Sequence, residues 1–272
     1  MIFSILRSRR PRKAQVRPEA RQGGETVNNF YEKEMLVTAA YVDPRCEVGV
    51  FQATVLLQDC MTELFYQYQC DAIRLSRSHG VVWAVARTKL RCEKPIRWMD
   101  RIRLKAFPVK VSSVAVHLNL LVESLDGTPL LRARQEMCAI DVESHSLRRV
   151  ESTPFPMDMD LLAPAYSEPY VRMKLKLGQE ALVYSYRARA MDTDMNGHIN
   201  NVNYLRFLMD ARPVSFWAAH TVREVDIHYV KEGREGDELE VYCQEEPQAL
   251  SLQIKRGEET LIKAFLMLED RA

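Results

Sequence analysis

The order of elements in this sequence predicts an α+β protein of two similar units, each a curved antiparallel sheet packed on its own helix. Three observations lead there. Segments rich in β-formers with alternating polar and apolar residues dominate the chain. One stretch in each half instead carries apolar residues at helical spacing. The order strand, helix, several strands then occurs twice, although direct similarity between the halves is faint.

In the first half, FYEKEMLVTAAYV (30–42) reads as a strand. DCMTELFYQYQCDAIRL (59–75) then places Met61, Leu64, Phe65, Tyr68, Ala72 and Leu75 three or four apart, which predicts a helix over 59–76 with one buried side. Asp59 or Thr62 could cap its start with a short oxygen-bearing side chain, and Gly80 suits a left-handed stop. Four strand-like segments follow, at 81–92, 101–111, 114–124 and 130–141, separated by turn-forming residues such as LDGTP. One helix and several long strands in series describe a meandering antiparallel sheet. After a Pro-containing connection (152–170), ALVYSYRARAM reads as a strand and NNVNYLRFLMDA as a helix limited by Pro213. Strands follow at 222–231, 238–243, 248–256 and 261–269.

Composition narrows the class. With 272 residues, 47% hydrophobic and 28% charged, the chain is globular. No apolar run reaches the roughly 18 residues of a membrane-spanning helix. Charge is uneven: residues 1–22 carry Arg7, Arg9, Arg10, Arg12, Lys13, Arg17 and Arg21 against Glu19 alone, so residues 1–28 read as a basic, disordered tail. No aromatic residue interleaves the arginines of that stretch, which gives nucleic-acid stacking little support. The six cysteines show no CxxC spacing, which suits a reducing compartment and makes the cytoplasm the expected location.

Residues 192–204, DTDMNGHINNVNY, carry the chemistry. The opening fits a calcium-loop pattern, but position twelve is Asn203 where a bidentate Glu is needed, and the preceding segment reads as a strand. His198, His220 and His228 lack zinc-ligand spacing, and GxSxG is absent. On an extended segment, Asp194, Asn196 and His198 project to one side. Asp194 could orient its neighbours or act as base or nucleophile, Asn196 could donate to a carbonyl, and His198 could move a proton near neutral pH. A helix starting at about Asn200 would bring its free N–H groups close by, fit to stabilise an oxyanion. Asp, Asn and Gly also crowd loops for local reasons, so spacing alone leaves an ordinary turn-and-cap segment standing beside the hydrolytic site.

DTDMNGHINNVNYLRFLMDA resembles the DxNxHxNNxxY signature of the bacterial and plant acyl-acyl-carrier-protein (acyl-ACP) thioesterases. VVWAVARTKLRCEKPIRWMDRIRLKAFP resembles that family's Trp-bearing strand and Pro turn. The resemblance covers roughly residues 30–270 and implies two tandem hotdog domains. The N-terminal one (29–151) would shape the acyl pocket, through helix 59–76 and the strand around Trp83. A linker (152–170) would lead to a catalytic C-terminal one (171–272). It further implies catalytic roles for Asp194, Asn196 and His198, with Glu232 of Tyr229-Val230-Lys231-Glu232 as the fourth member. Where the plant enzymes carry Cys after that Glu, this chain has Gly233, so a carboxylate must activate water or attack directly. The implied reaction is hydrolysis of fatty acyl-ACP to free fatty acid and ACP, terminating chain elongation. Glu232 would serve as base or as orienter of the attacking water, His198 would assist the proton movement, and Asn196 with a helix N–H would be oxyanion donors; the roles of Asp194 and Glu232 could be exchanged. No cofactor or metal is expected, nor nucleic acid or stable membrane insertion; a homodimer is allowed. An acidic carrier calls for a basic docking patch, with Arg97, Arg101, Arg103 and Lys105, or Lys174 and Lys176, as candidates. The rivals are an acyl-coenzyme A thioesterase of the same fold and a non-catalytic acyl-binding double hotdog.

Overall fold

The computed structural model describes residues 28–271. The expectations for the basic N-terminal segment therefore lie outside the described residues, except at Asn28. The first half contains β1 (Tyr31–Leu36), a 3-10 turn (Ala39–Tyr41), α1 (Val50–Gln67), α2 (Ala72–His79), β2 (Val81–Cys92), β3 (Arg101–Val111), β4 (Ala115–Ser124) and β5 (Pro129–Asp141). The second half repeats this plan. It has β6 (Leu182–Arg187), a 3-10 turn (Ala190–Asp192), α3 (Asn201–Met209), α4 (Val214–Ala219), β7 (His220–Tyr229), β8 (Glu238–Glu246), β9 (Ala249–Arg256) and β10 (Glu259–Asp270).

The strands run β1-β3-β4-β5-β2-β7-β10-β9-β8-β6, so each half contributes five in the same relative order. All neighbours are antiparallel, and β2 pairs with β7 from Arg87↔His228 to Arg91↔Glu224, fusing the halves into one sheet. That seam is invisible in local patterning because it joins segments far apart in sequence. Helix α1 lies over β1, β3 and β4, α3 over β9, and the two helices pack on each other. Their apolar faces, including Leu56, Leu57, Leu64, Leu205 and Leu208, form one core with the sheet. This is the double hotdog architecture.

Three local expectations are corrected. The helix predicted over 59–76 begins at Val50, because the apolar stripe extends upstream through Ala53, Leu56 and Leu57, and Gly49 is its N-cap. Asp59 and Thr62 are therefore mid-helix, with the Thr62 hydroxyl donating to the Gln58 carbonyl at 2.8 Å. The helix breaks at Gln69, which has φ +57°, and resumes as α2, stopping at left-handed Gly80 as predicted. The first strand is also shorter than 30–42, since the chain turns into the 3-10 segment after Val37.

The duplication extends to single hydrogen bonds. Asp43 Oδ1 accepts from the Arg45 N–H at 2.9 Å, and Asp194 Oδ1 accepts from the Asn196 N–H at 2.8 Å. The Val48 N–H donates to the Ile96 carbonyl as Ile199 does to Gly233. Asp100 accepts from the Arg97 N–H at 2.7 Å, matching Asp237 and Arg234 at 2.8 Å. Left-handed Cys46 (φ +58°) answers Gly197 (φ +75°), and Met99 (φ +69°) answers Gly236 (φ +87°). These pairs equate Arg45 with Asn196, Glu47 with His198, and Pro95 with Glu232.

In the first half these positions hold the two halves together. Arg45 donates to the carbonyls of Trp217 (3.0 Å) and His220 (3.4 Å), and Arg271 pairs with Glu47 at 2.5 Å. The connection between halves is tied to the opposite sheet face. Buried Lys89 reaches the Pro169 carbonyl (3.0 Å) and Glu224 (2.7 Å), and fully buried Asp226 accepts from the Val171 N–H at 2.6 Å. Arg45→Ala is expected to lower stability by about 1–3 kcal/mol, since it strands carbonyls at the joint, while leaving turnover unchanged. Denaturant unfolding and a rate measurement on the same preparation check both.

Candidate active site

The segment predicted to be extended is a tight turn. The Gly197 N–H donates to the Asp194 carbonyl at 3.0 Å, the Asp194 N–H to the His198 carbonyl at 2.8 Å, and Thr193 bridges Ile199. Alternation along a strand therefore does not bring Asp194, Asn196 and His198 together. The loop arises because Asp194 closes an Asx turn over Asn196 and Gly197 supplies the positive φ that other residues adopt at a cost. The Asn196 side-chain amide makes no hydrogen bond among the described residues.

His198 and Glu232, 34 residues apart in sequence, do meet: His198 Nε2 lies 3.2 Å from Glu232 Oε2, with the side chains 21% and 48% exposed. Glu232 can thus reach water while its other side is held by an imidazole. Its position follows from Gly233, whose carbonyl accepts from the Ile199 N–H at 2.9 Å and whose N–H donates to the Tyr204 hydroxyl at 2.7 Å. Burial raises the Tyr204 phenol pKa above its ordinary value, so the hydroxyl stays neutral there.

Gly233 also has no room for a side chain. A Cβ would sit 2.7 Å from Ile199 Cδ1 and 2.8 Å from the Tyr204 hydroxyl. A cysteine at this place would require Ile199 and Tyr204 to shift.

Asp192 carries the most contacts at the site. Its buried carboxylate accepts from the Tyr186 hydroxyl and the Arg189 N–H, both at 2.8 Å, and pairs with Arg206. Its carbonyl accepts from the Asn200 N–H at 2.9 Å and from Asn203 Nδ2 at 3.0 Å. Sequence spacing gives Asp192 only a place in the calcium pattern; its carboxylate is instead taken up by protein donors. Asn200 caps α3 by accepting from the Val202 N–H at 3.3 Å, and its carbonyl accepts from Asn203 at 2.8 Å. Of the first-turn N–H groups, that of Asn201 makes no hydrogen bond among the described residues.

The basic candidates divide. Arg103 pairs with Glu34 (2.8 Å) and Lys105 with Glu123 (2.8 Å). Arg97, Arg101, Lys174 and Lys176 have no ion-pair partner among the described residues. No helix among those residues is long and apolar enough to cross a membrane. Trp83 stacks on Phe65 (centroids 5.1 Å apart), and its indole N–H donates to the Cys70 carbonyl at 3.0 Å, so it packs within the N-terminal core.

Gly233→Cys is expected to lose about 1–3 kcal/mol through overpacking, a drop of roughly 3–10 °C in Tm, and to gain no thiol-dependent activity. Thermal unfolding and iodoacetamide sensitivity of turnover report on this directly.

Residues 175–268 match the family model described as acyl-ACP thioesterase C-terminal domain. Among curated proteins, oleoyl-acyl carrier protein thioesterase 2 of Arabidopsis thaliana chloroplasts is 20% identical over 77% of this chain and 62% of its own length. Thioesterase 1 of the same plant is 23% identical over 80% and 65%. The chain thus spans less than two thirds of these relatives. Among solved structures, an acyl-ACP thioesterase from Bacteroides thetaiotaomicron aligns at TM-score 0.76 and 18% identity, over 89% of this chain and 98% of that one. The 12:0-ACP thioesterase from Umbellularia californica aligns at TM-score 0.78 and 14% identity, over 90% and 98%. The chain is thus similar to acyl-ACP thioesterases in its residues 175–268 and shares their fold.

Proposed function

We propose that this protein hydrolyses fatty acyl-ACP to free fatty acid and ACP, ending chain elongation in fatty acid synthesis. The observation that carries the reading is the His198–Glu232 contact, 3.2 Å long and half open to solvent. The duplicate of this site in the first half holds Glu47 and Pro95 instead.

Glu232, held by His198, takes a proton from water as the water oxygen bonds to the thioester carbonyl carbon. The resulting oxyanion is met by the Asn201 N–H and the Asn196 amide. Collapse re-forms the carbonyl and breaks the C–S bond, and the departing thiolate takes up a proton through His198. Water and thioester thereby yield carboxylic acid and thiol. Asp194 is assigned to the turn that presents Asn196, since Oδ1 is already engaged by the Asn196 N–H.

The unit boundaries proposed are 29–151, which would shape the acyl pocket, and 171–272, which would hold the chemistry, joined by 152–170. The carrier protein is the proposed partner, and a reducing, cytoplasmic setting suits the free cysteines. Arg97 lies at the duplicate of the site, in the place of Arg234, so Arg234 beside Glu232 is the better-placed cation for an acidic carrier.

Thiol release from a panel of acyl-ACP and acyl-coenzyme A thioesters tests the reading. Faster hydrolysis of the ACP thioesters is expected, with His198→Ala and Glu232→Gln each losing about 100- to 10,000-fold in kcat. Preference for coenzyme A would overturn the carrier assignment. Acyl binding without turnover would overturn the enzyme reading.

A further inference from the structure

The two halves act as an internal control. Contacts present in both maintain the scaffold, and contacts present only beside His198 and Glu232 are candidates for serving the chemistry. The Asx turns, the Val48–Ile96 and Ile199–Gly233 bonds, and the Arg97–Asp100 and Arg234–Asp237 bonds occur in both halves. The network around Asp192 occurs in one. Counting back from the paired Asp43 and Asp194, the place of Asp192 is taken by Tyr41, that of Asn200 by Gly49, that of Asn203 by Gln52 and that of Arg206 by Val55. Along the paired strands, Met35 stands for Tyr186. Every residue that grips Asp192 with a side chain is thus replaced by one that makes no such contact, although the backbone path is the same.

We propose that Asp192 is a positioning residue for the thioesterase reaction, a role that rests on the function proposed above. Its carboxylate holds the chain entering the loop, through the Tyr186 hydroxyl, the Arg189 N–H and the Arg206 guanidinium. Its carbonyl holds the chain leaving the loop, through Asn200 and Asn203. One residue therefore clamps both ends of segment 193–200, whose tip carries Asn196 and His198. The next residue but one along that path, after His198, is Asn200; between them Ile199 bonds to Gly233 and carries Glu232 with it. A shift of the clamp moves His198 relative to Glu232, and a misplacement near 1 Å can cost about 100-fold in rate.

The clamp also explains a buried carboxylate away from the water it would otherwise seek. Asp192 is 3% exposed, and a carboxylate so placed is retained only where donors satisfy it. In Asp192→Asn, one oxygen becomes an NH2 group, a donor turned toward donors.

The test compares wild type, Asp192→Asn, Glu232→Gln and the joint variant Arg45→Ala, all assayed well below their melting temperatures. The expected result is a fall in kcat of about 100-fold for Asp192→Asn with KM little changed. Its His198 ring resonances in NMR should match those of Glu232→Gln and not those of wild type. Arg45→Ala should lose stability and keep wild-type kcat, separating loss of fold from loss of alignment. A kcat for Asp192→Asn within two-fold (about two-fold being the scatter of such context effects) would overturn the proposal, as would wild-type His198 resonances. If wild type itself releases no thiol, the function falls, and the resonances alone decide the role of Asp192. Should Asp192→Asn not fold, Tyr186→Phe removes one donor and keeps the ring packed on Phe207. A fall of several-fold in kcat is then expected, and an unchanged kcat overturns the proposal.

Discussion

The candidate site depends on the peptide of Gly233. Its carbonyl accepts from Ile199 at the end of the loop, and its N–H donates to the Tyr204 hydroxyl on the first turn of α3. Both bonds are buried, and a buried peptide group left unpaired is costly, so the strand tail has one low-energy position against the loop and helix. Glu232 precedes this peptide and inherits its position. The absence of a side chain lets the three elements close, because a Cβ would meet Ile199 and Tyr204 below 3 Å. Close approach of backbones thus holds a carboxylate and an imidazole from distant segments in contact.

Duplication accounts for the rest of the layout. Each half needs a turn before its central helix and a fastening between that turn and the tail of its central strand; the same hydrogen bonds supply both. The halves then diverge in side chains on that common backbone. Arg45 and Glu47 spend their charge on the other half, through Trp217, His220 and Arg271. The side chains of Asn196 and His198 make no such tie to the other half among the described residues. One end of the molecule acts as a clasp, and the other leaves these polar side chains outside the joint. The strap over the outer sheet face adds to the clasp, since Lys89, Glu224 and Asp226 come from β2 and β7 on both sides of the seam.

Much of the fold is legible in the sequence because alternation and helical spacing are local properties. The two helical stretches and the repeated order of strands belong to this class. The start of α1 is misread because Asp59 and Thr62 imitate capping residues, while Gly49 caps without a side chain and Val50 to Leu57 carry the stripe upstream. The β2–β7 seam has no local signature at all. At the site, His198 and Glu232 are identified through family resemblance, but the geometry that spacing suggests for Asp194, Asn196 and His198 is wrong, because Asp194 and Gly197 favour a turn over a strand. Asp192 is hidden for another reason. Its importance comes from Tyr186, Arg189 and Arg206, which reach it only after the chain has folded.

Three carboxylates lie within this stretch of structure, and their surroundings suit them to different tasks. Asp192 is buried, and its oxygens are engaged by the Tyr186 hydroxyl, the Arg189 N–H and the Arg206 guanidinium. Asp194 is partly buried and spends one oxygen on the Asn196 N–H, so moving it would open the turn that presents Asn196. Glu232 has solvent on one side and a single imidazole on the other. A base for water attack must touch water and be able to accept and pass on a proton during each cycle. Of the three, Glu232 alone has both solvent contact and an imidazole neighbour, as the proposed reaction requires. In the proposed reaction the first two carboxylates hold the loop and the third serves as base.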